Sequence, residues 1–446
     1  MQKSLISILI VGMLAMSDTQ AEDLIQMYQR ALVNDATYAS ARSSLSATLE
    51  RVPQAKSQLL PNVGFNANYL RNTTDISPRN EGQIVLTPSG GLGLATSTNI
   101  LTHSTTYSLA LSQPLFRWDR WQSFEQSKLA QSIGEAQFAQ AQQDLIINLS
   151  QAYFNVLAAQ DTLELTLAQK AATTEQLATA KLNYQVGTQT IVDTHEAQAA
   201  FDLVVAQEIA ASDELENRRS SLRAIIGKSP GELSPLRPGV NLVAPSPATI
   251  DPWVTSAESQ NYNVRTAEFV LETAKREIKK SRAGNLPTVD LVSNIGRQNS
   301  SNTMTTKAIG VNLSIPIFSG YAVTSRVRET IALEDKARND LEAARRGATQ
   351  IASQAFRGVN SGMAQVKALE AAEVSSQSSL ESNKLGYQVG VRINIDVLNA
   401  QRQLFSTRAN LAKARYDTIM SGLRLKAAVG SLKEEDLMPV NAMLGK

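Results

Sequence analysis

No proline interrupts residues 115–229, and none interrupts 317–438. Proline is the residue that a helix interior tolerates least, because it lacks the amide donor and clashes with the preceding turn. Both tracts are rich in Ala, Gln, Glu, Leu, Lys and Arg, which favour helix. The chain is thereby committed to very long helices. Those expected over 119–186 and 319–386 would each extend roughly 100 Å at about 1.5 Å per residue. Return helices are expected over 191–226 and 393–428, and helical stretches over 22–59 and 253–284 supply the rest of the return path. Pro230, Pro235, Pro238, Pro245, Pro247 and Pro252 crowd the segment 228–252 instead, which marks an irregular connector.

The chain is an internal duplication. Lys181-Leu182-Asn183-Tyr184-Gln185-Val186-Gly187 matches Lys384-Leu385-Gly386-Tyr387-Gln388-Val389-Gly390. The register continues through Asp193 and Asp396, Ala197-Gln198 and Ala400-Gln401, and Gly227 and Gly430. Upstream, Gln113-Pro114-Leu115-Phe116 pairs with Ile315-Pro316-Ile317-Phe318, and Leu60-Pro61 with Leu286-Pro287. Each half reads helix, two strands, long helix, turn, return helix. The organisation expected is a signal peptide over 1–21, a first repeat over 22–227, the connector 228–252, a second repeat over 253–430 and a tail over 431–446. The connector and tail belong to a middle belt, where each long helix exchanges one shorter partner for another.

Four segments alternate with period two. In 62–70, Val63, Phe65, Ala67 and Tyr69 oppose Asn62, Gly64, Asn66 and Asn68; the second strand of that repeat, 106–116, sets Tyr107, Leu109 and Leu111 against Ser108, Ala110 and Ser112. Strands over 287–296 and 307–318 repeat the pattern, with Asp290 the one charge on a small, polar face. An ordinary half-buried sheet is one reading. The lengths also suit a tilted bilayer crossing, with a lipid-facing side and a watery lumen. Membrane barrels begin at about eight strands and open edges in lipid are not tolerated, so membrane strands here require several chains to share one barrel. The segments 71–105 and 297–307 then form loops on the side away from the helices. Ser89-Gly90-Gly91-Leu92-Gly93 lacks the strand–helix context of a phosphate loop.

Composition excludes much else. There is no cysteine, so disulfides, thiol catalysis and a lipoprotein anchor are ruled out. His103 and His195 are the only histidines, too few for a histidine metal site or triad, and no enzyme constellation or cofactor motif emerges. A net charge of +2 gives no basic excess for nucleic acid. Lys3, the apolar run Leu5 to Met16, and Thr19-Gln20-Ala21 read as a secretory signal, with the mature chain starting near Glu22. No later run reaches the ~18 apolar residues of a membrane helix. A periplasmic or outer-membrane location in a Gram-negative cell follows.

Coiled-coil seams run through the long helices. One reads Leu145, Leu149, Ala152, Val156, Ala159, Leu163; its mate reads Ala348, Ala352, Ala355, Val359, Gly362, Val366, Leu369. The return helix reads Ile393, Val397, Ala400, Leu404, Thr407, Leu411, Ala414. Small seam residues and 5% aromatic content fit a tube wall one helix thick. A structural coiled-coil protein would explain the helices alone, and an autonomous porin the strands alone.

With the duplication, the Leu-Pro strand starts, the Gln-Pro-Leu-Phe and Ile-Pro-Ile-Phe strand ends and the two Tyr-Gln-Val-Gly helix ends, the chain resembles the TolC family of outer-membrane channel-tunnel proteins over about 22–440. The ending Leu425-Lys426-Ala427-Ala428-Val429-Gly430-Ser431-Leu432 adds to the likeness. The resemblance implies an α+β membrane protein: duplicated α-helical coiled-coil hairpins forming a periplasmic tunnel, and four strands per chain in a twelve-stranded barrel shared by a homotrimer. It implies a passive duct for drug efflux or type I secretion, with a periplasmic adaptor and an inner-membrane pump or secretion ABC transporter as partners.

Glycine at 187 and 390 suits the left-handed cap that ends a helix. By resemblance, Gly187-Thr188-Gln189 and Gly390-Val391-Arg392 are tips that meet adaptor hairpins. Asp193 and Asp396, at the starts of return helices, suit the positive end of a helix dipole. The resemblance adds a gate, in which Arg392 and Tyr387 reach Asp193 and Gln176 joins Tyr387. Asp396 matches a ring of carboxylates at the constriction. A second ring acid is expected one turn later, where this chain has Asn399. His195, near the turn, reads as a solvated helix residue.

Overall fold

The structure, a computed structural model, describes residues 21–79, 81–86 and 91–445. The signal segment lies outside the described residues except for Ala21, and so do Pro88, Ser89 and Gly90 of the glycine-rich segment. The first half of the chain forms α1 (Leu24–Asn34), α2 (Ala36–Leu49), α3 (Arg51–Ser57), β1 (Asn62–Ile76), β2 (Ile84–Leu86), β3 (Leu92–Leu94), β4 (Thr98–Phe116), α4 (Trp118–Gln185) and α5 (Ile191–Ile226). The second forms α6 (Asp251–Gln260), α7 (Tyr262–Arg282), β5 (Thr288–Asn299), β6 (Thr303–Ser314), α8 (Ala322–Gln388), α9 (Asn394–Ala428) and α10 (Leu437–Ala442). Two compact units result. One takes residues up to Ser43, Ala136–Arg265 and everything from Ala343; the other takes Ser44–Glu135 and Thr266–Glu342.

The helices before the strands are broken where the sequence suggested continuity. Asp35 has extended backbone between α1 and α2, and its carboxylate accepts the Tyr38 amide at 2.6 Å, capping α2. Pro53 has no amide to offer the carbonyl of Leu49, which ends α2. Asn261 breaks the stretch expected over 253–284: it accepts the Asn263 amide at 2.9 Å and donates to the Ala428 carbonyl at 2.8 Å. In both halves a short polar side chain satisfies amides that the interrupted helix leaves free.

In the second unit the strands form one antiparallel sheet in the order β1-β4-β5-β6. They run further than the alternation indicated. The segment 71–105 is mostly strand, with β2 and β3 as a small hairpin between β1 and β4, and only 300–302 separates β5 from β6. Residues 315–318, expected in a strand, lie beyond β6. Register carries the alternation across all four strands. Val63 opposes Leu111, Phe65 opposes Leu109, Leu109 opposes Ile295, and Leu291 opposes Val311, so these side chains share one face. Asn66 with Ser108, Ala110 with Asn294, and Asp290 with Asn312 share the other. The apolar face is open: Phe65 is 66% and Ile309 78% exposed. Asp290 is buried by Arg117, whose Nε and Nη2 grip its two oxygens at 3.1 and 2.6 Å. The outer edges of β1 and β6 meet no strand among the described residues. Among those residues, too, no helix is long and apolar enough to cross a membrane, which says nothing against the sheet.

In the first unit the seams of the long helices are buried. Leu145, Leu149, Ala152, Val156 and Ala159 of α4 are buried, as are Ala348, Ala352, Val359 and Val366 of α8 and Val397, Ala400, Leu404, Thr407, Leu411 and Ala414 of α9. Ile393, assigned to the last seam, precedes α9 and is exposed. The largest core joins the buried face of α1 to Leu149, Tyr153, Phe154 and Val156, to Leu222 and Ile226, and to Tyr416, Met420 and Leu437. The connector joins this unit through bridges of Leu233 with Glu22 and Leu236 with Leu444. Two tyrosines carry polar atoms into the core. Tyr153 donates to the carbonyls of Glu22 and Ser234 at 3.1 and 3.0 Å. Tyr416 stacks on Phe154 and donates to Asp161 at 2.7 Å.

Burial pushes the Asp161 carboxyl above the usual range, and the hydrogen bond from Tyr416 offsets that only in part. A folded pKa above the unfolded one means that the fold prefers the protonated acid. That contribution is complete below the unfolded pKa and is lost as pH rises through the folded value. Asp161→Asn keeps an acceptor for Tyr416 and carries no charge. It is expected to melt higher than wild type at neutral pH, with the difference closing towards about pH 4. Thermal unfolding followed by circular dichroism across that range checks this; a gap of equal size at both ends would contradict it.

Candidate functional site at the helical turns

Two turns join the long helices to their returns, and both end in the same backbone motif. After α4, the Thr188 amide donates to the Asn183 carbonyl at 2.9 Å and the Gly187 amide to Tyr184 at 3.1 Å. After α8, the Val391 amide donates to Gly386 at 2.9 Å and the Gly390 amide to Tyr387 at 3.1 Å. This pair of crossed bonds satisfies the last free carbonyls of a helix and requires a left-handed residue. Gly187 and Gly390 supply it, at φ +77° and +79°, with open space where a side chain would stand. The turns also expose apolar side chains, among them Tyr184, Val186, Val389 and Val391.

The polar groups are arranged differently from the expected gate. The Asp193 carboxylate closes a capping box on α5, accepting the Thr190 amide at 3.1 Å and hydroxyl at 2.8 Å. Within one chain it is therefore engaged locally. Arg392 places Nη1 3.7 Å from Asp396 Oδ2, one helical turn away on its own segment. With side chains 59% and 33% exposed, that pair is worth about 1 kcal/mol or less. Tyr387 donates to Gln189 Oε1 at 2.8 Å, not to Asp193. Gln176 donates to Asn394 Oδ1 at 2.6 Å, not to Tyr387. Asp396 is half-buried, Asn399 exposed, and His195 exposed on the first turn of α5. Among the described residues no three His, Cys, Asp or Glu side chains gather as metal ligands would.

Two apolar clusters hold these groups. Leu177 and Ala180 of α4, Ala197 of α5 and Leu398 of α9 form one. Leu380 of α8 packs with Val397, Ala400 and Leu404 of α9, and Tyr387 lies against them. Helix α9 thus touches the hairpin of each repeat at this end.

Residues 27–228 and 253–431 match the family model described as outer membrane efflux protein. The chain belongs to this family. It is 33% identical over 433 residues to the outer membrane protein TolC of Vibrio cholerae, covering 95% of this chain and 94% of that protein. It is 27% identical to the alkaline protease secretion protein AprF of Pseudomonas aeruginosa, covering 96% and 89%. The crystal structure of the CmeC outer membrane channel of Campylobacter jejuni shares the fold, with a TM-score of 0.80 at 17% identity over 96% of this chain and 90% of that one.

Within this efflux protein, one residue at the turns escaped the reading of the sequence. Asn394 is fully buried, yet both ends of its amide are bonded: Oδ1 accepts from Gln176, and Nδ2 donates to the Asp193 carbonyl at 3.1 Å. Its counterpart in the first repeat is Ile191, which is exposed. A polar residue facing an apolar one across the duplication was the available signal.

The glycine caps are testable by adding one methyl group. Gly390→Ala meets no neighbour, so its cost is the left-handed backbone alone, about 1–2 kcal/mol. Gly187→Ala should cost the same. Each is expected to lower the melting temperature of the detergent-solubilised protein, and an unchanged value for both would show that the turns can re-form without the left-handed residue.

Proposed function

We propose that this outer-membrane efflux protein acts as a homotrimer, with four strands from each chain closing a twelve-stranded barrel and the helical hairpins forming a tunnel in the periplasm. The observation that carries this is the sheet: its apolar side chains share one open face, and its two outer edges have no strand partner among the described residues. Lipid covers the apolar face, while unpaired backbone groups at the edges would cost several kcal/mol each in hydrocarbon. Copies of the same chain, joined β6 to β1, remove every edge. An autonomous porin would satisfy the sheet but leave the long helices without a part.

The duct is passive and serves drug efflux, type I secretion, or both. An inner-membrane pump or secretion ABC transporter supplies the energy, and a periplasmic adaptor docks at the turns around Gly187-Thr188-Gln189 and Gly390-Val391-Arg392. Exposed valines beside capped backbone offer a helical adaptor hairpin an apolar foothold. Opening is an iris-like movement of the inner helices at that end. In the closed state the exposed Arg392 guanidinium bridges its own Asp396 and the Asp193 carboxylate of an adjoining protomer. Such partly wet pairs are weak enough to break on docking.

Single-channel conductance in planar bilayers tests this reading. Wild type is expected to give small, stable, cation-selective steps, and Arg392→Ser larger ones. Large steps indifferent to the substitution would favour a porin, and no steps from folded oligomer would favour a structural protein.

The constriction carries one ring of acids, at Asp396, because the position one turn on is Asn399. Three carboxylates attract cations but hold a trivalent one less tightly than six. Hexamminecobalt is expected to block Asn399→Asp at several-fold lower concentration than wild type. Equal block would remove the single-ring assignment.

A further inference from the structure

Among the gate groups Arg392 is exposed and Gln176, Asp193 and Tyr387 are half-buried, whereas Asn394 lies deeper. It is the first residue of α9 and fully buried. One amide joins three helices: it accepts from Gln176 on α4 at 2.6 Å and donates to the backbone carbonyl of Asp193 on α5 at 3.1 Å. Both bonds run from the second repeat to the first. They cross between the two hairpins that an iris movement must separate.

We infer that Asn394 is a positioning residue for channel opening: a buried latch, with Gln176 as its partner, that holds α9 against the α4–α5 hairpin in the closed state. This rests on the reading of the turns as the gated end. The burial makes the latch stronger than its bond count suggests. A buried amide loses its water on closing, so each hydrogen bond it keeps is worth more than one at the surface, and each one it loses leaves a dry donor or acceptor. Opening must therefore admit water to Asn394 or give its amide a new partner. The latch is also one-sided, since the equivalent first-repeat position, Ile191, has no polar group to offer. The two hairpins of one chain are thus held by a contact that only the second repeat supplies. It acts within each protomer, whereas an Arg392 bridge would act between protomers.

Channels of Asn394→Ala, Gln176→Ala, the double variant and Arg392→Ser, all as assembled trimers in planar bilayers, test the latch. Gln176→Ala is expected to raise occupancy of the larger conductance level about fivefold, the effect of losing one hydrogen bond, and Asn394→Ala further, because it also removes the bond to the Asp193 carbonyl. The double variant should add little to Asn394→Ala, because that substitution already removes the bond to Gln176. Two independent, additive increases would overturn the shared latch. If Arg392→Ser opens the channel while Gln176→Ala and Asn394→Ala leave it unchanged, the latch is wrong and the gated end stands. If none of the variants changes conductance, the gated end itself is misplaced. Should Asn394→Ala fail to assemble, Gln176→Ala decides, since it removes one end of the bond from a half-buried site; unchanged conductance there makes Asn394 a residue of folding only.

Discussion

Every peptide group placed in hydrocarbon needs a partner, and this constraint governs the whole chain. β1 and β6 each carry one row of amides and carbonyls that the sheet does not use. A helix escapes the problem by bonding to itself, and a sheet escapes it only by closing. Four strands are too few to close. In the proposed assembly, other copies of the chain complete the sheet, for a reason that lies in the backbone before any side chain is considered. Side chains then decide which face looks outward, through register that stacks Val63, Phe65, Leu109 and Ile295 on one side.

The helices obey a related demand. Long helices that pack along a single seam bury a stripe and leave the rest wet. Small residues make this workable. Ala352, Ala400 and Ala414 let helix axes approach closely, and the large aromatic side chains collect where α1, α4 and α9 meet. Tyr153 and Tyr416 show the cost of polar atoms in that core. Each hydroxyl has a partner, and both phenols are pushed well above the ordinary range, chiefly by burial. Polar groups at the turns are handled in the opposite way. There the pairs are at least partly open to solvent, and Asn394 stands apart as the fully buried exception.

The long helices, the duplication and the strand alternation were legible in the sequence because each is a local pattern repeated many times. A proline-free tract or a period of two needs no knowledge of what lies across the fold. The glycine caps were legible for the same reason: Gly187 and Gly390 end their helices through bonds to residues a few positions back. The helix breaks at Asp35 and Asn261 were not. A single Asx residue within a helical run gives little local warning, and Asn261 is held in place by the distant carbonyl of Ala428.

The gate pairs show where local reading stops. Asp193 was expected to face Arg392 and Tyr387, but the nearest donors to its carboxylate are those of Thr190, three residues away, which need no tertiary approach. Gln176 finds Asn394 because α4 and α9 pack through Leu177 and Leu398, more than two hundred residues apart in the chain. The sequence by itself determined that there would be long paired helices, an amphipathic sheet and glycine-capped turns, since periodicity and backbone chemistry act over a few residues. Only the tertiary structure decided which polar side chains meet at the turns. A hydrogen bond depends on ångström placement, and packing sets that placement.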